Sequence, residues 1–160
     1  MKIIYLVRHA KAVEHNAARD FERTLAERGK SDAANIGSVL KGRSVKPDLI
    51  LSSPAARTMA TAIIIAKEIQ YPETSIADNR SIYNAELDTL LKVIRGVGDE
   101  IESLMLVGHN PGITEFTNAL FATMISSMPT CAVTGGKLNV NSWKMVKWGC
   151  GNEDFFVSPE

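Results

Sequence analysis

Short apolar runs recur along this chain, and three of them end directly on a basic or polar cluster. Lys2 to Val7 is followed by Arg8-His9-Ala10, and Asp48 to Leu51 by Ser52-Ser53-Pro54-Ala55-Ala56-Arg57. Ser103 to Val107 is followed by Gly108-His109-Asn110-Pro111-Gly112. Continuous apolar runs of this kind read as strands buried on both faces, as in a parallel sheet. Between them the period becomes helical. Ala33, Ile36, Gly37 and Leu40 form one stripe, with Thr24-Leu25-Ala26-Glu27 as a capping box ahead of it and Gly42 as its stop. Met59, Ala62, Ile63 and Ala66 form a second, in a helix from Pro54 to about Ile69 with Ser53 as N-cap. Leu87, Leu90, Leu91 and Ile94 form a third, ended by Gly96 and Gly98, and a fourth helix is predicted from Pro111 to Thr123. Thr74 to Ala77 reads as a short strand. Beyond Pro129, Cys131 to Val140 and Asp154 to Val157 read as two more, joined by an irregular segment from Asn141 to Asn152.

This alternation predicts an α/β fold: a three-layer α/β/α sandwich with a mostly parallel central sheet and a late antiparallel addition. A chain of 160 residues is expected to form one domain, 1–160, with a full core. Eighteen basic side chains balance eighteen acidic ones, so no nucleic-acid footprint is expected, and any positive potential must be local. Neither a signal-peptide core nor a membrane span is read, which makes a cytoplasmic location the default. Cys131 and Cys150 lack metal-ligand spacing and read as small buried or half-buried residues. The oligomeric state is not legible.

In open α/β sheets, ligands sit outside the carboxyl ends of the strands. Arg8, His9, Arg57 and His109 are thereby expected to converge on one crevice. No carboxylate or Cys accompanies them in the three motifs, so the crevice reads as built for a phosphoryl group and not for a metal. Guanidinium groups offer planar forks matched to phosphate oxygens. His9, beside such cations, is expected to be neutral, and a neutral imidazole is a competent nucleophile. His109 is expected to donate to a phosphate oxygen, and the helix after Asn110-Pro111 to aim its N-terminus at the anion.

Together these motifs resemble the histidine phosphatase (phosphoglycerate-mutase-like) superfamily. The short chain and Glu22-Arg23-Thr24-Leu25-Ala26-Glu27-Arg28-Gly29 are most similar to its compact SixA-type phosphohistidine phosphatases. The resemblance implies a phosphoglycerate-mutase-like fold, His9 as a transiently phosphorylated nucleophile, and Arg8, Arg57 and His109 as phosphate holders. It further implies Arg23 as a phosphate contact, no metal and no organic cofactor. The family's usual Gly after the Arg-His pair is Ala10 here, which implies an ordinary backbone or a slightly reshaped loop at that point.

Larger members of the superfamily use a Glu as general acid. In this chain Ile82-Tyr83-Asn84-Ala85-Glu86 stands in the corresponding region, so the acid is Glu86 or there is none, with Asn84 in its place. An imidazole leaving group needs little protonation, having a conjugate-acid pKa of about 6.5. The expectation is therefore a metal-independent phosphatase acting on phosphohistidine displayed by a signalling or phosphotransfer protein. The alternatives are a small phosphomonoesterase or mutase acting on a phosphorylated metabolite, and a non-catalytic phosphate-binding module. His15 reads as a solvated loop residue, Trp143 and Trp148 as anchors of the irregular segment, and Gly135-Gly136 as a bulge.

Overall fold

The computed structural model describes residues 1–15 and 19–159. Its strands are β1 (Lys2–Arg8), β2 (Leu49–Ser52), β3 (Ala77–Asp78), β4 (Ser103–Gly108), β5 (Val133–Leu138) and β6 (Gly151–Val157). Its helices are α1 (Glu27–Gly42), α2 (Ala56–Glu68), α3 (Leu87–Arg95) and α4 (Gly112–Phe121). The six strands form one sheet in the order β3-β2-β4-β1-β5-β6. The first four are parallel, and β5 runs antiparallel to both of its neighbours. The expected sandwich and its antiparallel addition are both present.

Alternation along the buried strands divides the core in two. Ile4, Leu6, Leu104 and Leu106 face α3 and α4, which supply Leu90, Leu91, Ile94, Ile113, Phe116 and Leu120. Val7, Ile50, Met105 and Val107 face α1 and α2, which supply Ala33, Ile36, Leu40, Ala62, Ile65 and Ala66. Thus β1 and β4 are neighbours whose following helices lie on opposite faces of the sheet. A crevice opens at the carboxyl ends of such a pair. Among the described residues, no helix is long and apolar enough to cross a membrane.

Four local expectations need correction. Thr24 is not a helix cap, because α1 starts at Glu27 after Ala26 with no side-chain cap bond. The Thr24 carbonyl instead accepts from Val13 N–H, beside an isolated bridge between Ala12 and Leu25. Ser53 does not cap α2, whose first residue is Ala56. The buried face of α2 is also rotated: Thr58 and Thr61 are buried while Met59 and Ile63 are half-buried. The hydroxyls make this possible by bonding to backbone carbonyls within the helix and just before it, which removes the cost of burying them. Finally, β6 begins at Gly151, three residues before the predicted Asp154, because its exposed polar residues carry no apolar signal. The predicted bulge is found, as a register shift in the β5–β6 pairing between Gly135 and Gly136.

The segment after β1 leaves the sheet and returns to α1 through a narrow neck. Ala26 N–H donates to Lys11 O at 2.9 Å, and Val13 N–H to Thr24 O at 2.9 Å. Gly29, in the first turn of α1, makes this approach possible, since a Cβ there would lie 2.1 Å from Lys11 O. Gly29→Ala is expected to cost about 1–3 kcal/mol of stability through overpacking. Urea unfolding of the variant checks this.

Candidate active site

Strand register brings the sequence motifs together. Arg8 of β1 pairs with Gly108 of β4, so His9 and His109 emerge side by side, with ring centroids 5.5 Å apart. Ser52 of β2 pairs with Val107 of β4, which sets Ser53 beside His109. Arg57 stands in the first turn of α2 and is 4% exposed. Arg8, His9, Arg23, Arg57 and His109 all line one open hollow of about 430 Å³.

His9 is buried, and its Nδ1 lies 2.7 Å from Ala10 O. A carbonyl only accepts, so Nδ1 carries the proton and Nε2 presents its lone pair to the hollow. The Ala10 N–H donates to Thr61 Oγ1 at 2.9 Å, fixing this turn against α2. Burial, opposed by the Ala10 carbonyl and reinforced by Arg57, Arg8 and Arg23, lowers the His9 pKa to about 4. The ring is neutral at neutral pH, as expected, though burial outweighs the neighbouring charges. His109 is lowered to about 3, again chiefly by burial and next by Arg57. Its Nε2 lies 2.8 Å from Ser53 Oγ.

The guanidinium groups are held by carbonyls and one carboxylate. Arg8 Nη1 donates to Met128 O at 2.8 Å, and Arg23 Nη1 to Val13 O at 2.8 Å. Asp20 ties the rest together. Arg57 donates to its carbonyl at 2.6 Å and to its Oδ2 at 3.1 Å. Arg23 Nε and Nη2 both donate to its Oδ1, at 3.2 and 3.0 Å. The Tyr83 hydroxyl donates to Oδ2 as well. This hydroxyl, with Arg57 and Arg23, holds the Asp20 carboxyl well below the usual carboxylate range. The expectation that no carboxylate joins the site is therefore corrected. Asp20 sat unnoticed in the polar stretch after β1, and only its i,i+3 spacing to Arg23 offered a signal.

Three buried side-chain nitrogens lack any partner among the described residues: Arg8 Nε, Arg57 Nε and His109 Nδ1. All three belong to this constellation. A buried polar group left unpaired costs about 1–3 kcal/mol, so their concentration at one place marks a site for a ligand that supplies acceptors.

Glu86 is not among the residues lining the hollow with His9. It lines an adjoining hollow of about 550 Å³ with Asp88, Glu115, Pro111 and Gly112, and the two spaces share Asn84, His109 and Asn110. Asn84 thus takes the place nearer His9. The Asn110 side chain does not cap α4; it donates to Ser127 Oγ and Met128 O and accepts from Thr114. His15 is largely exposed, with Nδ1 3.8 Å from Asp20 Oδ1, and stands at the rim. Trp143 is fully buried and donates to Ile101 O at 2.7 Å, so it anchors the irregular segment as expected. Cys131 is buried, and its thiol is pushed up to about 12 by burial, which leaves it unreactive.

Such a hollow presents a nucleophilic nitrogen, permanent cations and unpaired donors to whatever anion enters it. The family model of the histidine phosphatase superfamily (branch 1) matches residues 4–82. An uncharacterised protein of Mycobacterium tuberculosis, Rv1276c, is 30% identical over 135 residues, covering 83% of this chain and 78% of that one. A crystal structure from Agrobacterium tumefaciens, provisionally assigned as phosphohistidine phosphatase SixA, is 31% identical, covers 99% of both chains and superposes with a TM-score of 0.80. A tungstate complex of the protein histidine phosphatase SixA shares the fold at 21% identity and a TM-score of 0.83, over 98% of this chain and 97% of that one. The chain belongs to the histidine phosphatase superfamily and is of its compact SixA type.

Proposed function

We propose that this single domain, 1–160, is a metal-independent phosphatase that works through a phosphohistidine at His9 and takes phosphohistidine on a phosphotransfer protein as its substrate. The observation that carries this reading is the set of unpaired buried nitrogens on Arg8, Arg57 and His109 around a neutral His9. In the first step the Nε2 lone pair attacks phosphorus and the bond to the leaving ring breaks; that ring, protonated on its other nitrogen, takes the bonding pair and departs as neutral imidazole. In the second step water attacks phosphorus, the P–Nε2 bond breaks, and inorganic phosphate leaves with the proton balance restored to solvent. The phosphoryl charge at both transition states is met by Arg8, Arg57, Arg23 and His109. Substrate class follows from the carboxylates at the hollow. Among the described residues lining it, Asp20 is held ionised and Glu14 is exposed to solvent, while Glu86 faces the adjoining space, so a leaving group that departs with little help suits the site best.

His9→Ala is expected to reduce turnover of a phosphohistidine-bearing protein by about 10³-fold or more. Wild-type turnover is expected to persist in EDTA. Phosphate release from that protein and from p-nitrophenyl phosphate checks both. Glu86→Gln is expected to leave the phosphohistidine reaction nearly unchanged; a loss of about 10²-fold or more confined to poor alkoxide leaving groups would instead support a metabolite phosphomonoesterase or mutase. A folded wild type that binds phosphate but turns over neither substrate would be a binding module.

The imidazoles also predict how stability responds to pH. His9 has a folded value of about 4 against 6.5 for the ordinary group, so the unfolded chain binds its proton more tightly. Linkage then removes stability as pH falls below about 6.5, down through about 4, and removes none above that window. Urea unfolding of wild type and His9→Gln across this range is expected to show the wild type losing more stability toward acid.

A further inference from the structure

Ser53 belongs to no part of the phosphatase reading given above, yet it is fully buried at the exit of β2 and touches His109. Its hydroxyl oxygen accepts from Ala55 N–H at 3.2 Å and lies 2.8 Å from His109 Nε2. The backbone amide only donates, so it uses a lone pair of the hydroxyl and leaves the hydroxyl proton to be placed. Among the described residues, the hydrogen-bonding atom that remains in reach to take it is His109 Nε2. The opposite arrangement, Nε2–H donating to Oγ, strands a buried hydroxyl proton. It also leaves Nδ1 as a bare lone pair, which repels an anion.

We infer that Ser53 is a positioning residue: its hydroxyl donates to His109 Nε2, holds the ring in the Nδ1–H tautomer and so makes His109 a hydrogen-bond donor toward the phosphoryl group. This rests on the reading of the hollow as a phosphoryl site. Three observations converge on it. Nδ1 is the ring nitrogen with no protein partner, which is where a donor awaiting a ligand should stand. Burial keeps His109 neutral, so only one ring nitrogen carries a proton and the tautomer decides whether the free one donates or accepts. Ser53 is itself fixed, with its carbonyl receiving the Thr58 hydroxyl at 2.9 Å, so the donor has one orientation to offer. Ser53 stands ahead of α2, where its hydroxyl oxygen accepts from Ala55 N–H instead of from an amide inside the helix.

The test combines long-range ¹⁵N–¹H NMR of the His109 ring, in the free protein and with inorganic phosphate, with kinetics of Ser53→Ala and Ser53→Thr. The wild type is expected to show protonated Nδ1 and bare Nε2, with the Nδ1 proton shifting when phosphate is added. Ser53→Ala is expected to show mixed tautomers and to lose about tenfold or more in kcat with a smaller change in KM, as when an oxyanion donor is weakened. Ser53→Thr, which keeps the hydroxyl, is expected to restore the tautomer and most of kcat. Protonated Nε2 in the wild type overturns the inference, as does a Ser53→Ala variant, folded by its ¹⁵N spectrum, with an unchanged tautomer or kcat. The tautomer is read without turnover. An Nδ1–H ring in a protein that hydrolyses nothing would therefore sink the phosphatase reading and leave the Ser53 assignment standing.

Discussion

A protein of zero net charge gathers three guanidinium groups at one end of its sheet, and their mutual repulsion is the constraint the site is built around. Cations brought together out of bulk water are costly unless something of opposite sign is placed among them. Asp20 is that counter-charge, bridging Arg23 and Arg57 and fixed in turn by Tyr83. Its position depends on the neck formed by Ala12 and Leu25, and the neck depends on the bare backbone of Gly29. Phe21 and Tyr83 pack edge to face at 5.1 Å beneath the Arg80 guanidinium, and hold the same turn against the mouth of the hollow. A single carboxylate thus links the segment between β1 and α1, the start of α2 and the loop before α3.

That arrangement leaves the site only partly satisfied. One carboxylate cannot answer every donor, and Arg8 Nε, Arg57 Nε and His109 Nδ1 remain unpaired. A tetrahedral anion has acceptors enough for all of them, so its binding would relieve a cost that folding incurs. Anything that binds only the folded form adds to its stability in proportion to the logarithm of its concentration above Kd. The site is in this sense strained by unsatisfied polarity, with no need for distorted backbone. The neutrality of His9 belongs to the same balance. Burial and three nearby cations keep its Nε2 free of a proton, and so available to phosphorus.

The architecture was legible because buried parallel strands announce themselves as apolar runs, and because the residue after such a run is placed by register alone. Arg8, His9 and His109 follow from that rule, and Arg57 from lying one helical turn beyond it. Ala10 shows the rule reaching further: it is fully buried and is not among the residues with positive φ, so a side chain fits there on an ordinary backbone. What the pattern did not reveal are contacts made by polar side chains across elements. Thr58 and Thr61 satisfied their hydroxyls locally and rotated the buried face of α2. Ser53 reads from spacing as the cap of α2, whereas its hydroxyl meets the Ala55 amide ahead of the helix and His109 at the end of another strand. Asp20 lies 37 residues from Arg57 and 63 from Tyr83, and nothing in a local pattern connects them.

Proton donors decide what such a site can release. Asp20 is the carboxylate bonded to Arg23 and Arg57, and its partners hold it ionised far below neutral pH. Tyr83 is pushed the other way, chiefly by its bond to Asp20, and clings to its proton. His9 and His109 are both neutral, and their protonated forms are disfavoured by burial. These four side chains are thus held, by burial and by their bonds to one another, in states that do not give up a proton readily. Strong anion binding and acid catalysis compete here for the same few side chains. An alkoxide, left without a proton, is a poor leaving group, and general acid help is worth about 10²–10⁴-fold to it. An imidazole forgoes that help because its conjugate acid has a pKa of about 6.5. That difference in leaving groups is the chemical ground on which we propose a phosphorus–nitrogen bond as the one broken here.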